Sequence, residues 1–389
     1  MEMSGLKRLQ EKLSGMASLP FSEEPIFLLG KAYHVDSEAE EELSKRTALI
    51  AEDLYSRVWV TYRNDFEPIG QSGLTSDAGW GCTIRSGQML LANTLMIHSL
   101  GRDWRRTTAS ASAPVQDGLV QVISLFSDKS SREHYLSIHR IVSSGHPFGI
   151  RVGHWVGPYV LCQTVKSILD AEPSCPFRCY LVSEPGGIPT LYHARAHTQE
   201  PSARTSSGGE EAEGTSGSTG TGNGRDSRPW SPLVILVPVT LGATPSINPC
   251  YVPQMLEILS MPESIGIVGG RPGSSLYLIG RQGDRVFYLD PHTLQAAGNP
   301  CIPEVASTYF CDALQHMLAS KLDPSLALGF YCRSEEDFEG LYAKLDALQQ
   351  AYPSSPLVSV ARDVPDKQPQ LYDISTAADP NDESWEAIQ

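Results

Sequence analysis

Apolar residues fall into two kinds of run along this chain. Over 37–62, Leu43, Leu49, Leu54, Val58 and Val60 stand among charged residues, and Ser37 is placed to cap a first turn, so the pattern predicts a helix leading into the core. From Cys82 to Leu100 the apolar positions, among them Leu90, Leu91, Leu95, Met96 and Ile97, are almost continuous. That predicts a central helix buried on most sides, ended by the polar stretch 102–113. Val160, Leu161, Val165, Ile168 and Leu169 recur at helical spacing behind Pro158, which suits a first turn, and predict a helix over Pro158–Ala171.

Leu233 to Val239 is a short apolar run and predicts a buried strand. Helical spacing returns over 251–259, residues 275–279 and 285–289 read as paired strands joined by 280–284, and a last helix is expected over 334–351. Helices first and mainly non-local strands afterwards make the expected class α+β.

Two stretches break this pattern. Residues 196–229 are dominated by Ser, Thr, Gly and Glu, a composition that buries too little apolar surface to order itself, so a disordered insertion is expected there. Residues 1–22 read as a mobile tail and 363–389 as an acidic tail, leaving 23–362 as the folded domain. No internal repeat is found.

Composition narrows the classes. With 389 residues and 41% hydrophobic residues the chain can bury a sizeable core. A formal charge of -15 argues against nucleic acid and anionic membrane surfaces as partners. No apolar run approaches the ~20 residues of a membrane span. The N-terminus lacks the apolar core of a signal peptide, and the eight scattered cysteines suit free thiols in a reducing, cytoplasmic setting.

Candidate chemistry begins at Trp80-Gly81-Cys82, where a loop rich in Gly, Ser and Asp meets the central helix. A cysteine in a first helical turn faces unpaired N–H groups and the positive end of the helix dipole, and both favour the thiolate nucleophile. A buried structural thiol is the competing reading of the tripeptide alone. Far along the chain, Asp290-Pro291-His292 offers a base and an orienting carboxylate, two residues apart at the end of an expected strand; the same tripeptide also begins ordinary turns. Tyr62 is either a core aromatic or a hydroxyl donor to an oxyanion, and Trp155, between glycines, either an exposed binding residue or a plug over the following helix.

Gly269-Gly270-Arg271-Pro272-Gly273 lacks the Gly-Lys-Ser/Thr of a phosphate loop and leads into a strand, so it is expected to turn the chain tightly near the site. The pairs Cys175/Cys179 and His193/His197 have no partner pair, so neither a metal nor a cofactor is expected.

With these residues assembled, the chain resembles the autophagins, cysteine proteases that process the ubiquitin-like modifiers of autophagy. The likeness rests on Gly79-Trp80-Gly81-Cys82 with Arg85 and Gln88, on Trp155-Val156-Gly157-Pro158, and on Met261-Pro262-Glu263-Ser264-Ile265-Gly266. It continues through Gly269-Gly270-Arg271-Pro272 and Leu289-Asp290-Pro291-His292-Thr293 to Leu322-Asp323-Pro324-Ser325. Ser86 stands where some relatives carry a second cysteine, so redox control through that position is not carried over.

The resemblance implies a papain-like core with a small auxiliary α/β subdomain. It implies Cys82 as nucleophile, His292 as general base, Asp290 as its orienting acid and Tyr62 in the oxyanion hole. It also implies that Trp155 and the loop with Pro262 clamp the groove for the modifier's terminal glycine. The implied partners are ubiquitin-like autophagy modifiers of the GABARAP type, as free precursor and as lipid conjugate, with priming and delipidation as the two reactions. Near the C-terminus, Trp385 and Ile388 with acids before them resemble the short motif that adds a strand to such modifiers. The rival reading is a non-catalytic adaptor that tethers modifiers through that motif.

Overall fold

The computed structural model describes residues 22, 24–34, 40–106, 117–182, 187–198, 230–311 and 315–364. The Ser37 cap, the tail before residue 22, the insertion from 199 to 229 and the acidic tail beyond 364, with Trp385 and Ile388, lie outside the described residues.

Among the described residues, nine strands build one mixed sheet. Its spine runs β11 (Gln315–Leu318), β9 (Arg285–Leu289), β8 (Ser274–Gln282), β7 (Ser264–Arg271), β12 (Ser325–Cys332), β6 (Leu233–Thr240) and β4 (Arg178–Leu181). The hairpin of β1 (Ile26–Leu28) and β2 (Lys31–Tyr33) joins beside β8. Only β4 with β6 is a parallel pair within this sheet. Two small parallel pairs stand apart, β3 (Tyr62–Asn64) with β10 (Leu294–Ala296), and β5 (Thr190–Tyr192) with β13 (Ser359–Ala361).

Helices cover both faces of the sheet, which is why its strands read as unbroken apolar runs. Along β6, Val234 and Leu236 enter one core while Leu233, Ile235 and Val237 enter the other. The same alternation separates Tyr277 and Ile279 from Leu276 and Leu278 on β8. The first core lies under the helices Cys82–Leu100 and Pro158–Ala171, and the second under Val252–Ser260 and Glu335–Ala351. Each Leu, Ile or Val so buried contributes about 1.5–3 kcal/mol against its exposed state.

The structure corrects several boundaries. The first helix covers Glu40–Tyr55 and ends well before residue 62. Val58 bridges to Phe310 and Tyr62 enters β3, so strand pairing with distant segments overrides the helical pattern. The expected link 280–284 shrinks to Gly283 and Asp284, because Gln282 pairs directly with Arg285. Ala196 to Thr198 belong to the helix His193–Thr198, so the start of the expected insertion is ordered. The last helix, Glu335–Ala351, opens with a reciprocal capping box between Ser334 and Asp337.

Candidate active site

Cys82 opens the helix Cys82–Leu100, and the side chain is 2% exposed. Gly81 caps that helix without a side-chain bond, which leaves the first-turn amides without a side-chain cap. The loop before it is pinned from below. Asp77 receives Arg85 through both oxygens, at 2.8 and 2.9 Å, and also accepts the Arg63 backbone N–H at 2.7 Å. Arg85 reaches Asp128 at 2.8 Å and Gln88 at 3.0 Å with its other nitrogen. The Asp77 carbonyl takes the Gly81 N–H at 2.9 Å. Removing one partner from so buried an ion pair costs about 3–5 kcal/mol, so this network fixes where the thiol sits.

The helix packs against β7 and β8, bringing Cys82 beside the first residues of β8. The pairing of Tyr277 with Leu289 brings the end of β9 to the same place, and the chain there turns through Asp290-Pro291-His292. His292 Nδ1 lies 2.5 Å from Asp290 Oδ1, and the His292 backbone N–H donates to the same oxygen at 2.9 Å. Acid and base therefore converge through a tight turn beyond the strand, not through the two-residue repeat of extended chain. With Nδ1 tied to the carboxylate, Nε2 is the nitrogen left for a second partner. Ser274 Oγ stands 3.4 Å from Nε2.

Tyr62 arrives by the other route. Its backbone N–H donates to the Pro291 carbonyl at 2.9 Å, and its ring meets the imidazole edge-on at 5.3 Å. The phenol and the Cys82 thiol shift each other's pKa as close neighbours do.

Electrostatics match the geometry. Burial pushes the Cys82 thiol up, but hydrogen bonds from His292, the Ser275 backbone and Tyr62 outweigh it and lower the pKa. His292 is pushed up to about 9, first by its bond to Asp290 and then by Cys82. Burial acts to raise Asp290, yet His292 holds that carboxyl below the ordinary carboxylate value. Tyr62 is held above the ordinary phenol value, by burial first and then by the Cys82 charge, so it remains a donor at neutral pH.

Trp155 is 55% exposed, ahead of the helix Pro158–Ala171. Together with Pro158, Thr83, Arg271, Ser274 and Ser275 it lines a cleft of ≈ 160 Å³. Pro262 is not with them. It precedes β7, with its carbonyl against Gly30, while the cleft takes the opposite end of that strand, roughly 20–25 Å away. The tight turn facing Trp155 is instead the one from Arg271 to Ser274, where Gly273 has φ +73°.

Sequence reasoning also passed over Thr83 and Ser275. Their hydroxyls are buried in the wall of this cleft and have no hydrogen-bond partner among the described residues. Only the tertiary pairing of helix and sheet makes them neighbours. Among the described residues, no group of three or more His, Cys, Asp or Glu is arranged to hold a metal ion, and no helix is long and apolar enough to cross a membrane.

The profile of the peptidase C54 catalytic domain matches residues 47–344. This chain belongs to the peptidase C54 family. The peptidase C54 chain is 34% identical to the cysteine protease ATG4B of Oryza sativa subsp. indica, covering 88% of this chain and 71% of that one. It is 34% identical to the cysteine protease ATG4a of Arabidopsis thaliana, over 93% and 76%. To the cysteine protease ATG4B of Xenopus laevis it is 33% identical, over 89% and 85%. The protein is thus a cysteine peptidase of the autophagin family, an autophagy protease, and membership implies a papain-like fold consistent with the α+β layout seen here.

Proposed function

We propose that this peptidase cleaves after the C-terminal glycine of ubiquitin-like autophagy modifiers, priming the precursor and releasing the phosphatidylethanolamine conjugate. One observation carries the reading: the Asp290 carboxylate holds His292 at 2.5 Å, and His292 lies where it lowers the pKa of the Cys82 thiol. In the proposed reaction the Cys82 thiolate attacks the glycine carbonyl. Tyr62 and the Cys82 backbone N–H stabilise the oxyanion, and the His292 imidazolium protonates the leaving amine. His292 then activates water against the thioester.

The small cleft beneath Trp155 and the 271–274 turn supports glycine specificity, since its ≈ 160 Å³ leaves little room for a side chain. The free Thr83 and Ser275 hydroxyls give an extended tail of polar backbone something to bond. We assign residues 23–362 to a papain-like catalytic domain with a small auxiliary subdomain and the insertion, and Trp385 with Ile388 to a strand-adding contact with the modifier. Eight free thiols fit a cytoplasmic enzyme.

Incubating the full chain with a modifier precursor, and with the conjugate in vesicles, tests the proposal by intact mass. The expected product ends at the glycine, and Cys82→Ser gives none while still binding. Cleavage elsewhere, or at wild-type rate by Cys82→Ser, overturns it. Binding without cleavage by the wild type favours the adaptor. Double alanine replacement of Trp385 and Ile388 is expected to weaken binding; unchanged calorimetric affinity removes the tail from the proposal.

A further inference from the structure

A second, larger cleft of ≈ 610 Å³ lies apart from the catalytic residues. It is walled by the helix Ile138–Gly145, by residues 69–72 and by the segment leading from His146 to His154. In a chain whose formal charge is -15, its lining contains His139, Arg140, His146, Arg151 and His154 and not one acid. A basic pocket persisting on an acidic protein is a local device, because the global field works against it.

Two of its groups are held ready at some cost. Arg140 Nε and His139 Nδ1 are buried and have no hydrogen-bond partner among the described residues. A buried unpaired polar atom costs about 1–3 kcal/mol, so a small shift of either side chain that lets a ligand bond it recovers that amount. His139 is oriented by Nε2, which sits 2.7 Å from the Glu67 carbonyl, and by an edge-on contact with Phe66. The Glu67 carboxylate stands behind the cleft residue Ser130, whose hydroxyl and N–H engage it at 2.9 and 3.3 Å and hold it ionised, so one acid stands beside this wall.

We propose that this cleft binds a phosphate-bearing anion. Guanidinium groups match phosphate oxygens bidentately. A phosphate group is mostly dianionic at neutral pH and offers acceptor oxygens to N–H donors. The volume admits more than one phosphate. The ligand is either a soluble phosphate compound or the headgroup of a phosphorylated lipid.

Calorimetry of the full chain with sodium pyrophosphate tests the site. One binding event is expected, weakened at least tenfold in Arg140→Gln/Arg151→Gln, since each charged hydrogen bond is worth roughly a factor of ten. Both side chains reach solvent, so the variant is expected to fold, and its melting temperature is measured alongside. Lys321→Gln/Arg362→Gln removes the same charge elsewhere and should leave affinity unchanged. No binding, equal affinity in the cleft variant, or an equal loss in the control variant overturns the proposal. Flotation with phosphatidylcholine vesicles, with and without phosphatidylinositol 4-phosphate, separates the sources. Flotation that needs the lipid phosphate and is lost in the cleft variant marks a headgroup, and pyrophosphate binding without flotation marks a soluble ligand.

Discussion

The Trp59 indole Nε1–H donates to the Asp290 carbonyl oxygen at 2.7 Å, across 231 residues of sequence. Three residues later the same segment presents Tyr62, whose N–H takes the Pro291 carbonyl at 2.9 Å. A single short stretch thus holds both sides of the acid–base turn. Trp59→Phe keeps most of the packing and removes one bond worth about 0.5–1.5 kcal/mol. Turnover should fall roughly threefold to tenfold with KM nearly constant, because the turn, not the substrate groove, is loosened. Steady-state kinetics on a cleaved modifier precursor check this, and an unchanged kcat would reduce Trp59 to packing.

The pH profile follows from the paired shifts. The proposed mechanism needs Cys82 deprotonated and His292 protonated, so the profile of kcat/KM should be bell-shaped. Its acid limb lies below the ordinary thiol value, and its alkaline limb lies near 9. The same raised imidazole stabilises the fold fully below its unfolded value of about 6.5, and that contribution is lost as pH rises through about 9. Asp290→Asn removes the leading cause, so the alkaline limb should move to lower pH while turnover falls by about 10²–10⁴. An alkaline limb that stays put in this variant would show that Asp290 does not set the imidazole.

How much of this was legible in sequence depends on distance along the chain. The place of Cys82 in a first helical turn could be read because loop, cap and helix are contiguous, and the closeness of Asp290 to His292 because one turn holds both. The break in the first helix could not, since β3 forms only against β10, more than two hundred residues away. Asp128 was missed because its ion pair with Arg85 spans 43 residues. Pro262 was misplaced for the opposite reason. It lies close in sequence to the cleft-lining turn, but a full strand carries it to the far end of the sheet.

Gly81 and Gly79 test two different demands on the loop before Cys82. A Cβ on Gly81 would stand 2.2 Å from Asp77 Oδ2, which Arg85 fixes and which cannot withdraw. A Cβ on Gly79 meets nothing within 4 Å, but the backbone there has φ +86°. Gly81→Ala should therefore cost about 1–3 kcal/mol through overpacking and also displace the thiol. Gly79→Ala should cost less, on the order of 1 kcal/mol, through backbone strain alone. Denaturant melts of both variants decide it: equal losses would mean that the Asp77 contact yields.

Tyr62→Phe isolates one hydroxyl. The ring keeps its edge-on contact with His292 at 5.3 Å and its backbone bond to Pro291, so the fold is expected to survive. In the proposed mechanism what disappears is a hydroxyl that lowers the Cys82 thiol at rest and donates to the oxyanion in the transition state. These losses act on different observables. Without the resting bond the thiol pKa should rise, moving the acid limb of kcat/KM to higher pH. Without the oxyanion donor kcat should fall by about 10²–10³ while KM changes little. A shifted acid limb with unchanged kcat at its plateau would restrict Tyr62 to tuning the thiol, and loss of neither would return it to a core aromatic.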